Sequence, residues 1–427
     1  MKSNKKLWYL GIFIFLVFII PGIWKFIPIT IQFITNYYST PYAASEDVSI
    51  TIRDSIRLEG TLTKPLTKAN KVPVVILVSP PSIESRDALS RKKVKRFLVF
   101  ADSLSKHGIA VLRFDNRGMG KSSKWNKPVT LYTHADDVIA WINYLKTRED
   151  INSNKIGLLG ISEGGCTCQV VASQPGKVSF LVLLASLGIG GWESYVYQLN
   201  SYWKFMGIQR NFNYQDSLNA AIQYQKPVYD VLNRYESAAD DTIVKYVVPL
   251  IFKWIYNKYG NNLSEDACNI IAKYIDTSVN KVIYNKNGNK LSKTEFSALF
   301  KNALIPWLNP QQRALKTFKP EKYLSKIKCP VLALNGTLDD AVDCYPNLKK
   351  IEETLKDNGN KNVTTVPIKN VGHSFLTMGI EEQTYHITKE GGHGTISMKD
   401  SVPYYAIPNE KFSQMALDII IAWIRRQ

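Results

Sequence analysis

Residues 155–165 constrain the fold of this chain more than any other segment. The apolar residues 156–159 predict a short buried strand, a Gly-Ile-Ser-Glu-Gly turn follows, and a helix-compatible stretch begins at Cys166. A strand, a sharp turn centred on serine and a helix together expose the serine hydroxyl above the edge of a sheet. We therefore expect Ser162 to be a nucleophile, with the backbone N–H of Glu163 as one oxyanion donor.

The rest of the chain alternates between strand and helix patterns. Short apolar runs predict strands at residues 48–52, 56–63, 72–78, 109–114, 178–184, 331–335 and 363–368. Residues 97–107 and 133–145 have apolar positions at helical spacing. Strands that alternate with helices predict an α/β fold with a mostly parallel central sheet and helices on both faces.

This alternation stops after Leu184. Residues 188–320 have a helical pattern rich in Tyr and Trp, and the segment is too long for a connection inside a compact domain. We therefore expect three parts: a membrane anchor and stalk at residues 1–45, a core at 46–187 and 321–427, and a large helical cap at 188–320.

The first residues predict a membrane segment. Three lysines precede an uncharged apolar run at residues 7–24, which is close to the length that crosses the hydrocarbon layer. The lysines favour a cytoplasmic terminus and place the rest of the chain outside the cytoplasm. Because no small-x-small site closely follows the run, we favour an uncleaved signal anchor and a single-pass cell-membrane protein. The alternative is a cleaved signal peptide and a secreted or periplasmic protein.

Charge and cysteine content narrow the possible partners. The formal net charge of +18 fits an acidic partner, a membrane surface or simple solubility, but the sequence contains no nucleic-acid-binding module. The five cysteines have neither zinc-site nor disulfide-framework spacing. The sequence therefore implies no metal and no organic cofactor.

An acid and a base follow later strands. Asp339 and Asp340 come just after residues 331–335, and His373 lies in the loop after residues 363–368. The carboxyl ends of parallel strands meet at one edge, so either carboxylate could reach His373 there, beside Ser162. The imidazole would take the serine proton, and the carboxylate would fix the imidazole tautomer.

Two other histidines compete with His373 as the base. His386 and His393 both lie in a long Gly- and Glu-rich segment that we expect to be a loop with no strand just before it. We therefore favour His373.

With these motifs the chain resembles the α/β-hydrolases, in particular the serine hydrolases and esterases with a helical cap. The matching segments are residues 113–122, 160–165, 336–342 and 372–373. Carried over residue by residue, the resemblance implies Ser162 as nucleophile and His373 as base. It favours Asp339 over Asp340 as the acid, because Asp339 holds the family position three residues before Val342.

The oxyanion loop departs from the family pattern. Where the family is usually glycine-rich, residues 79–83 read Ser-Pro-Pro-Ser-Ile, and proline has no N–H to donate. One oxyanion donor is typically worth about a hundredfold or more in rate. If the donor position falls on Pro81, half of the oxyanion hole is missing, and Ser82 could supply its N–H or its hydroxyl instead.

These features predict a membrane-anchored serine hydrolase that cleaves small-molecule carboxylic esters through an acyl-enzyme, with its catalytic domain on the extracytoplasmic side. The motifs fix acyl chemistry but not the leaving group, so a peptidase, thioesterase or acyltransferase of the same fold stays open. Pro80 and Pro81 also leave open a non-catalytic binding protein with the α/β-hydrolase fold.

Overall fold

A computed structural model of the chain describes residues 43–210, apart from 54, 68, 83–84, 89–94 and 126. It also describes residues 309–378, 385–389, 392–396 and 408–427, and a few scattered residues between 214 and 233. Within these ranges, no helix is both long and apolar enough to span a bilayer. The predicted membrane segment at residues 7–24 and most of the predicted cap lie outside the described residues.

The described strands and helices follow one another as the alternating pattern predicts. The strands are β1 (Ala43–Ile52), β2 (Ile56–Pro65), β3 (Val72–Val78), β4 (Ala110–Phe114), β5 (Ile151–Ile161), β6 (Phe180–Leu184), β7 (Val331–Gly336), β8 (Val363–Ile368), β9 (Leu376–Met378), β10 (Tyr385–Lys389), β11 (Gly392–Ile396) and β12 (Pro408–Phe412). The helices are α1 (Arg96–Lys106), α2 (Leu131–Lys146), α3 (Glu163–Ala172), α4 (Gly191–Arg210), α5 (Pro310–Lys316), α6 (Pro320–Leu324), α7 (Cys344–Asp357) and α8 (Gln414–Ile424).

Eight strands form one sheet in the order β1-β2-β4-β3-β5-β6-β7-β8. The leading hairpin pairs antiparallel, and β2 pairs antiparallel with β4. From β4 to β8 every neighbouring pair is parallel. Because the intervening segments return the chain to the start of each parallel strand, β3, β5, β7 and β8 all end at the same edge of the sheet.

Both faces of the sheet are covered, which explains the continuous apolar run of β3. Val74 and Ile76 pack into a core with α2, α3 and α7, whose largest buried side chain is Trp141. Val75 and Leu77 face the opposite side and pack with α1 and α8. A strand buried on both faces has no polar side for solvent, so its sequence shows no alternation.

One predicted loop is a hairpin. The segment that carries His386 and His393 forms β10 and β11, which pair antiparallel as a separate two-stranded sheet. The loop prediction for these histidines was therefore wrong. Both strands contain β-branched Ile and Thr, and only two residues separate them in the sequence, as hairpins favour.

Candidate active site

Ser162 stands in a strained turn between β5 and α3. Its φ of 56° and ψ of −124° are rare for a residue with a side chain. The Ser162 N–H donates to the Leu184 carbonyl oxygen at 2.8 Å, and its own carbonyl accepts from the Gly165 N–H at 2.9 Å. These bonds hold the turn, which we call the elbow (residues 160–165), at the edge where the parallel strands end.

The elbow needs glycine because its backbone lies against other backbone. A Cβ on Gly160 would stand 2.6 Å from the Gly164 carbonyl oxygen. A Cβ on Gly164 would stand 2.1 Å from the carbonyl oxygen of Val78, the last residue of β3. The elbow therefore packs directly on the end of β3, so the loop that follows β3 lies beside Ser162.

His373 contacts both other residues of the predicted triad. Its Nε2 lies 3.0 Å from the Ser162 Oγ, and its Nδ1 lies 2.9 and 3.0 Å from the two carboxylate oxygens of Asp339. An ionised carboxylate only accepts hydrogen bonds, so Nδ1 carries the proton in the neutral imidazole. Nε2 is then free to accept the hydroxyl hydrogen of Ser162.

Asp339 is held in place by the backbone that follows it. Its Oδ1 accepts from the N–H groups of Ala341 and Val342, each at 2.8 Å. The side chain is fully buried, whereas that of His373 is 26% exposed. Of the two acidic candidates that the sequence leaves open, Asp339 is the one hydrogen-bonded to His373.

Electrostatics around His373 favour its charged form. Burial acts to lower the pKa of His373, but the Asp339 carboxylate, by charge and hydrogen bond, and the charge of Asp340 raise it, while Arg96 opposes them. The result is a pKa above the ordinary value for histidine. A base of this kind takes up a proton readily and holds it as an imidazolium.

Of the two predicted oxyanion residues, Glu163 lies in the elbow and Ser82 lies in the loop after β3. Glu163 is the first residue of α3, so its N–H belongs to the open amino end of a helix, where anions are stabilised. Ser82 is exposed and follows the buried Pro81 in the turn after β3. The structure thus brings both segments to the edge that carries Ser162.

Asn116 forms hydrogen bonds to the loop at residues 79–82, which we call the proline loop, from the side away from the elbow. It is buried, and its Nδ2 lies 3.2 Å from the Ser79 Oγ, 3.0 Å from the Pro80 carbonyl oxygen and 3.3 Å from the Pro81 carbonyl oxygen. Asn116 lies in the Asp-Asn-Arg-Gly turn after β4, within the segment 113–122 that matches the family. Nothing in that motif indicates a partner in the loop after β3.

The side chain of Glu163 is a second feature that the sequence did not predict. It is buried, and its Oε2 accepts from the Gln311 side chain of α5 at 3.1 Å. Burial raises the pKa of Glu163 to about 7, although the Gln311 hydrogen bond lowers it. Gln311 lies near the end of the predicted cap segment, so this bond ties the elbow to the part of that segment that returns to the core.

Tyr197 joins the predicted cap segment to the acid loop. Its hydroxyl, on α4, donates to the Asp339 backbone carbonyl at 2.6 Å. The many aromatic residues of the segment indicated that it packs on the core, but they did not indicate where. A hydrogen bond between residues so distant in the chain leaves no sequence pattern. The start of the segment therefore packs on the loop that carries Asp339.

A family profile described as the alpha/beta hydrolase fold matches residues 90–377, more than half of the chain. The chain belongs to the α/β-hydrolase family. Family membership supports a hydrolase and agrees with the parallel sheet, the covering helices and the strand–elbow–helix unit.

Individual relatives of this α/β-hydrolase are distant. An uncharacterized 31.7 kDa protein in the traX-finO intergenic region of Escherichia coli is 32% identical over 83 residues, which cover 19% of this chain and 29% of that protein. The chain thus spans less than a third of the length of that curated relative.

Solved structures of esterases are similar to the chain over most of their lengths. Est1E from Butyrivibrio proteoclasticus, in a structure with bound ferulic acid, is 16% identical and has a TM-score of 0.40, covering 76% of this chain and 90% of Est1E. The Pyrococcus furiosus esterase Pf2001 is 16% identical with a TM-score of 0.40, covering 78% of this chain and 85% of that one.

Proposed function

We propose that this α/β-hydrolase is a serine hydrolase that cleaves carboxylic esters through an acyl-enzyme. The observation that carries the proposal is the continuous contact from the Ser162 hydroxyl through His373 to the buried Asp339 carboxylate. A serine hydroxyl is too weak an acid to attack an ester unaided, so it needs a base of this kind at hydrogen-bonding distance.

Acylation begins when Ser162 Oγ attacks the ester carbonyl carbon and His373 Nε2 takes the hydroxyl proton. The carbonyl oxygen becomes an oxyanion, which the Glu163 N–H and a donor from Ser82 stabilise. The intermediate collapses, the C–O bond to the alcohol breaks, and His373 returns the proton to the leaving alcohol. Asp339 stabilises the imidazolium throughout without taking the proton.

Deacylation repeats these steps with water. His373 removes a proton from water as the water oxygen attacks the acyl carbon on Ser162. The second tetrahedral intermediate then expels the serine oxygen, which recovers its proton from His373. The products are a carboxylic acid and the free enzyme.

The substrate enters beneath a cap in this proposal, and the enzyme acts at a membrane. Residues 188–320 form the helical cap between the two core parts, 46–187 and 321–427. Residues 7–24 anchor the chain, with residues 1–45 as anchor and stalk and the catalytic domain on the extracytoplasmic side. The support is the lysine-flanked apolar run and the interruption of the strand–helix alternation in the sequence.

A fluorophosphonate probe tests the nucleophile. We expect the native chain to be labelled and Ser162→Ala to lose the label, because the probe reacts with an activated serine. Ser153→Ala, which changes an exposed serine on β5, should label like the native chain. No labelling of the native chain would contradict the proposal and favour a binding protein of the same fold.

A substrate panel tests the leaving group. We expect p-nitrophenyl esters of several acyl lengths to be hydrolysed and aminoacyl anilides to be cleaved far more slowly, both activities disappearing in Ser162→Ala. Preferential cleavage of the anilides would replace the esterase with a peptidase that uses the same three side chains.

A further inference from the structure

We propose that Asn116 positions the second oxyanion donor, the backbone N–H of Ser82, by holding the carbonyl groups of the two prolines before it. This inference rests on the proposed function, since an oxyanion donor matters only if the site performs acyl transfer. It assigns a role to a buried side chain that the triad does not use.

At Pro80 and Pro81, the backbone of the proline loop can form hydrogen bonds only through its carbonyl groups. Pro80 and Pro81 have no N–H, so their backbone offers acceptors alone. The Nδ2 of Asn116 lies at hydrogen-bonding distance from both carbonyl oxygens and from the Ser79 hydroxyl oxygen. One buried amide group therefore contacts three successive residues of the loop.

The strand order fixes the side from which Asn116 acts. In the sheet, β3 lies between β4 and β5. Asn116 follows β4, the loop at residues 79–82 follows β3, and Ser162 follows β5. The loop thus lies between Asn116 and the elbow, and its carbonyl groups at Pro80 and Pro81 turn toward the β4 side.

The direction of the Ser82 N–H follows from the geometry of the peptide bond. The bond between Pro81 and Ser82 is trans, and in a planar trans peptide the C=O and the N–H point in opposite directions. Because the Pro81 carbonyl faces Asn116 on the β4 side, the Ser82 N–H faces the β5 side, where Ser162 lies. This resolves the open choice at Ser82 in favour of the N–H over the hydroxyl.

The first test replaces Asn116 and a matched asparagine elsewhere. Asn360 is also buried and donates from Nδ2 to two backbone carbonyls, those of Ile327 and Cys329, at 3.0 and 2.8 Å. Its partners come just before β7 and Asn360 itself comes just before β8, so the contact lies at the edge of the sheet opposite the elbow. Asn360→Ala therefore removes the same kind of hydrogen bond away from the site.

We expect Asn116→Ala to lower kcat for a p-nitrophenyl ester by about 10- to 100-fold, with KM changed by less than about twofold. Asn116→Asp, which keeps the size but replaces the donor with an acceptor, should lose kcat similarly. Asn360→Ala should lower the melting temperature like Asn116→Ala while kcat stays within about twofold of native. A kcat loss in Asn116→Ala no larger than in Asn360→Ala would overturn the inference.

The second test separates the N–H from the hydroxyl at Ser82. Ser82→Pro removes the N–H, and Ser82→Ala removes only the hydroxyl, so we expect the proline variant to lose at least about tenfold more kcat. Equal losses would contradict the role of the N–H. If the native chain neither hydrolyses the ester nor reacts with the fluorophosphonate, the proposed function fails as well. If the native chain is active and the kcat of Asn116→Ala is unchanged, only the role of Asn116 is contradicted.

Discussion

At the scale of single residues, the site depends on side chains that different strands carry to one edge of the sheet. Ser162 follows β5, Asp339 follows β7 and His373 follows β8. Their proximity could be expected from sequence, because each comes just after an apolar run and parallel strands end together. Their catalytic roles stay predictions.

The partners of Asn116 could not be predicted in the same way. Its side-chain hydrogen bonds reach residues 35 to 37 positions earlier in the chain. No periodicity or spacing records such a contact, since it depends on which strands become neighbours. The choice between Asp339 and Asp340 also could not be made from strand and loop patterns, because these patterns do not distinguish adjacent residues. It rested on the family motif, in which the acid stands three residues before Val342.

The first residue-scale prediction compares these two aspartates. Asp339→Asn should lower kcat by about 10⁴-fold, because an amide cannot stabilise the imidazolium and favours the wrong tautomer of His373. The Asp340 side chain makes no hydrogen bond to His373, so Asp340→Asn should lower kcat by less than about tenfold. Steady-state kinetics on a p-nitrophenyl ester measure both, and the reverse order would assign the acid to Asp340.

The second residue-scale prediction concerns pH. Protonated His373 cannot accept the Ser162 proton, so kcat/KM should rise with pH as His373 loses its proton, with a midpoint above the ordinary histidine pKa. The Asp340 charge raises the pKa of His373, so Asp340→Asn should move this limb to lower pH.

A matched control for this pH shift lies at the end of α7. Asp357→Asn removes an exposed carboxylate away from the site, so its pH profile should match that of the native chain. A limb in Asp340→Asn that stays in place or moves to higher pH would contradict the assignment of this titration to His373.

At the scale of secondary structure, sequence patterns found the elements but not all of their limits. The apolar run predicts β5 at residues 156–159, whereas the strand extends over Ile151–Ile161. Its first half carries exposed polar side chains, and Ile151 pairs with Val72 of β3. Hydropathy does not mark these polar residues as part of a strand, so the apolar run shows only the second half of β5.

Packing of α2 depends on a buried ion pair. The Arg117 guanidinium, in the turn after β4, donates from Nε to both carboxylate oxygens of Asp137 on α2, at 2.7 and 2.8 Å. Both side chains are 1% exposed. The pair therefore fixes α2 against the turn that also carries Asn116.

The element-scale prediction concerns this pair. Asp137→Asn should lower the free energy of unfolding by about 3–5 kcal/mol, because it leaves the Arg117 charge buried without a partner. The adjacent Asp136 pairs with Arg53 at the surface, so Asp136→Asn should change it by less than about 1 kcal/mol. Urea unfolding measures both, and equal effects would contradict the argument from burial.

At the scale of the whole molecule, the fold class could be predicted because strands and helices alternate over two long stretches. The sheet from β4 to β8 is parallel, as that alternation requires, and the leading hairpin is antiparallel. The division into anchor, core and cap stays a prediction, since residues 1–42 and most of 188–320 lie outside the described residues.

The molecule-scale prediction concerns the membrane. We expect the full chain to remain with the membrane pellet after alkaline carbonate washing, and a variant without residues 7–24 to lose that association. Amino-terminal sequencing of the purified chain provides the control. A mature start near Ala44 or Ser45 would contradict the uncleaved anchor and favour a cleaved signal peptide.

The central claim is that Ser162 carries the acyl group and that His373 activates it. Mass spectrometry of peptides from the chain, quenched early in its reaction with a slowly hydrolysed p-nitrophenyl ester, tests this directly. We predict one acyl group per chain, located on Ser162, and almost none in His373→Ala. An acyl group on another residue, or equal acylation of Ser162 in His373→Ala, would contradict the account.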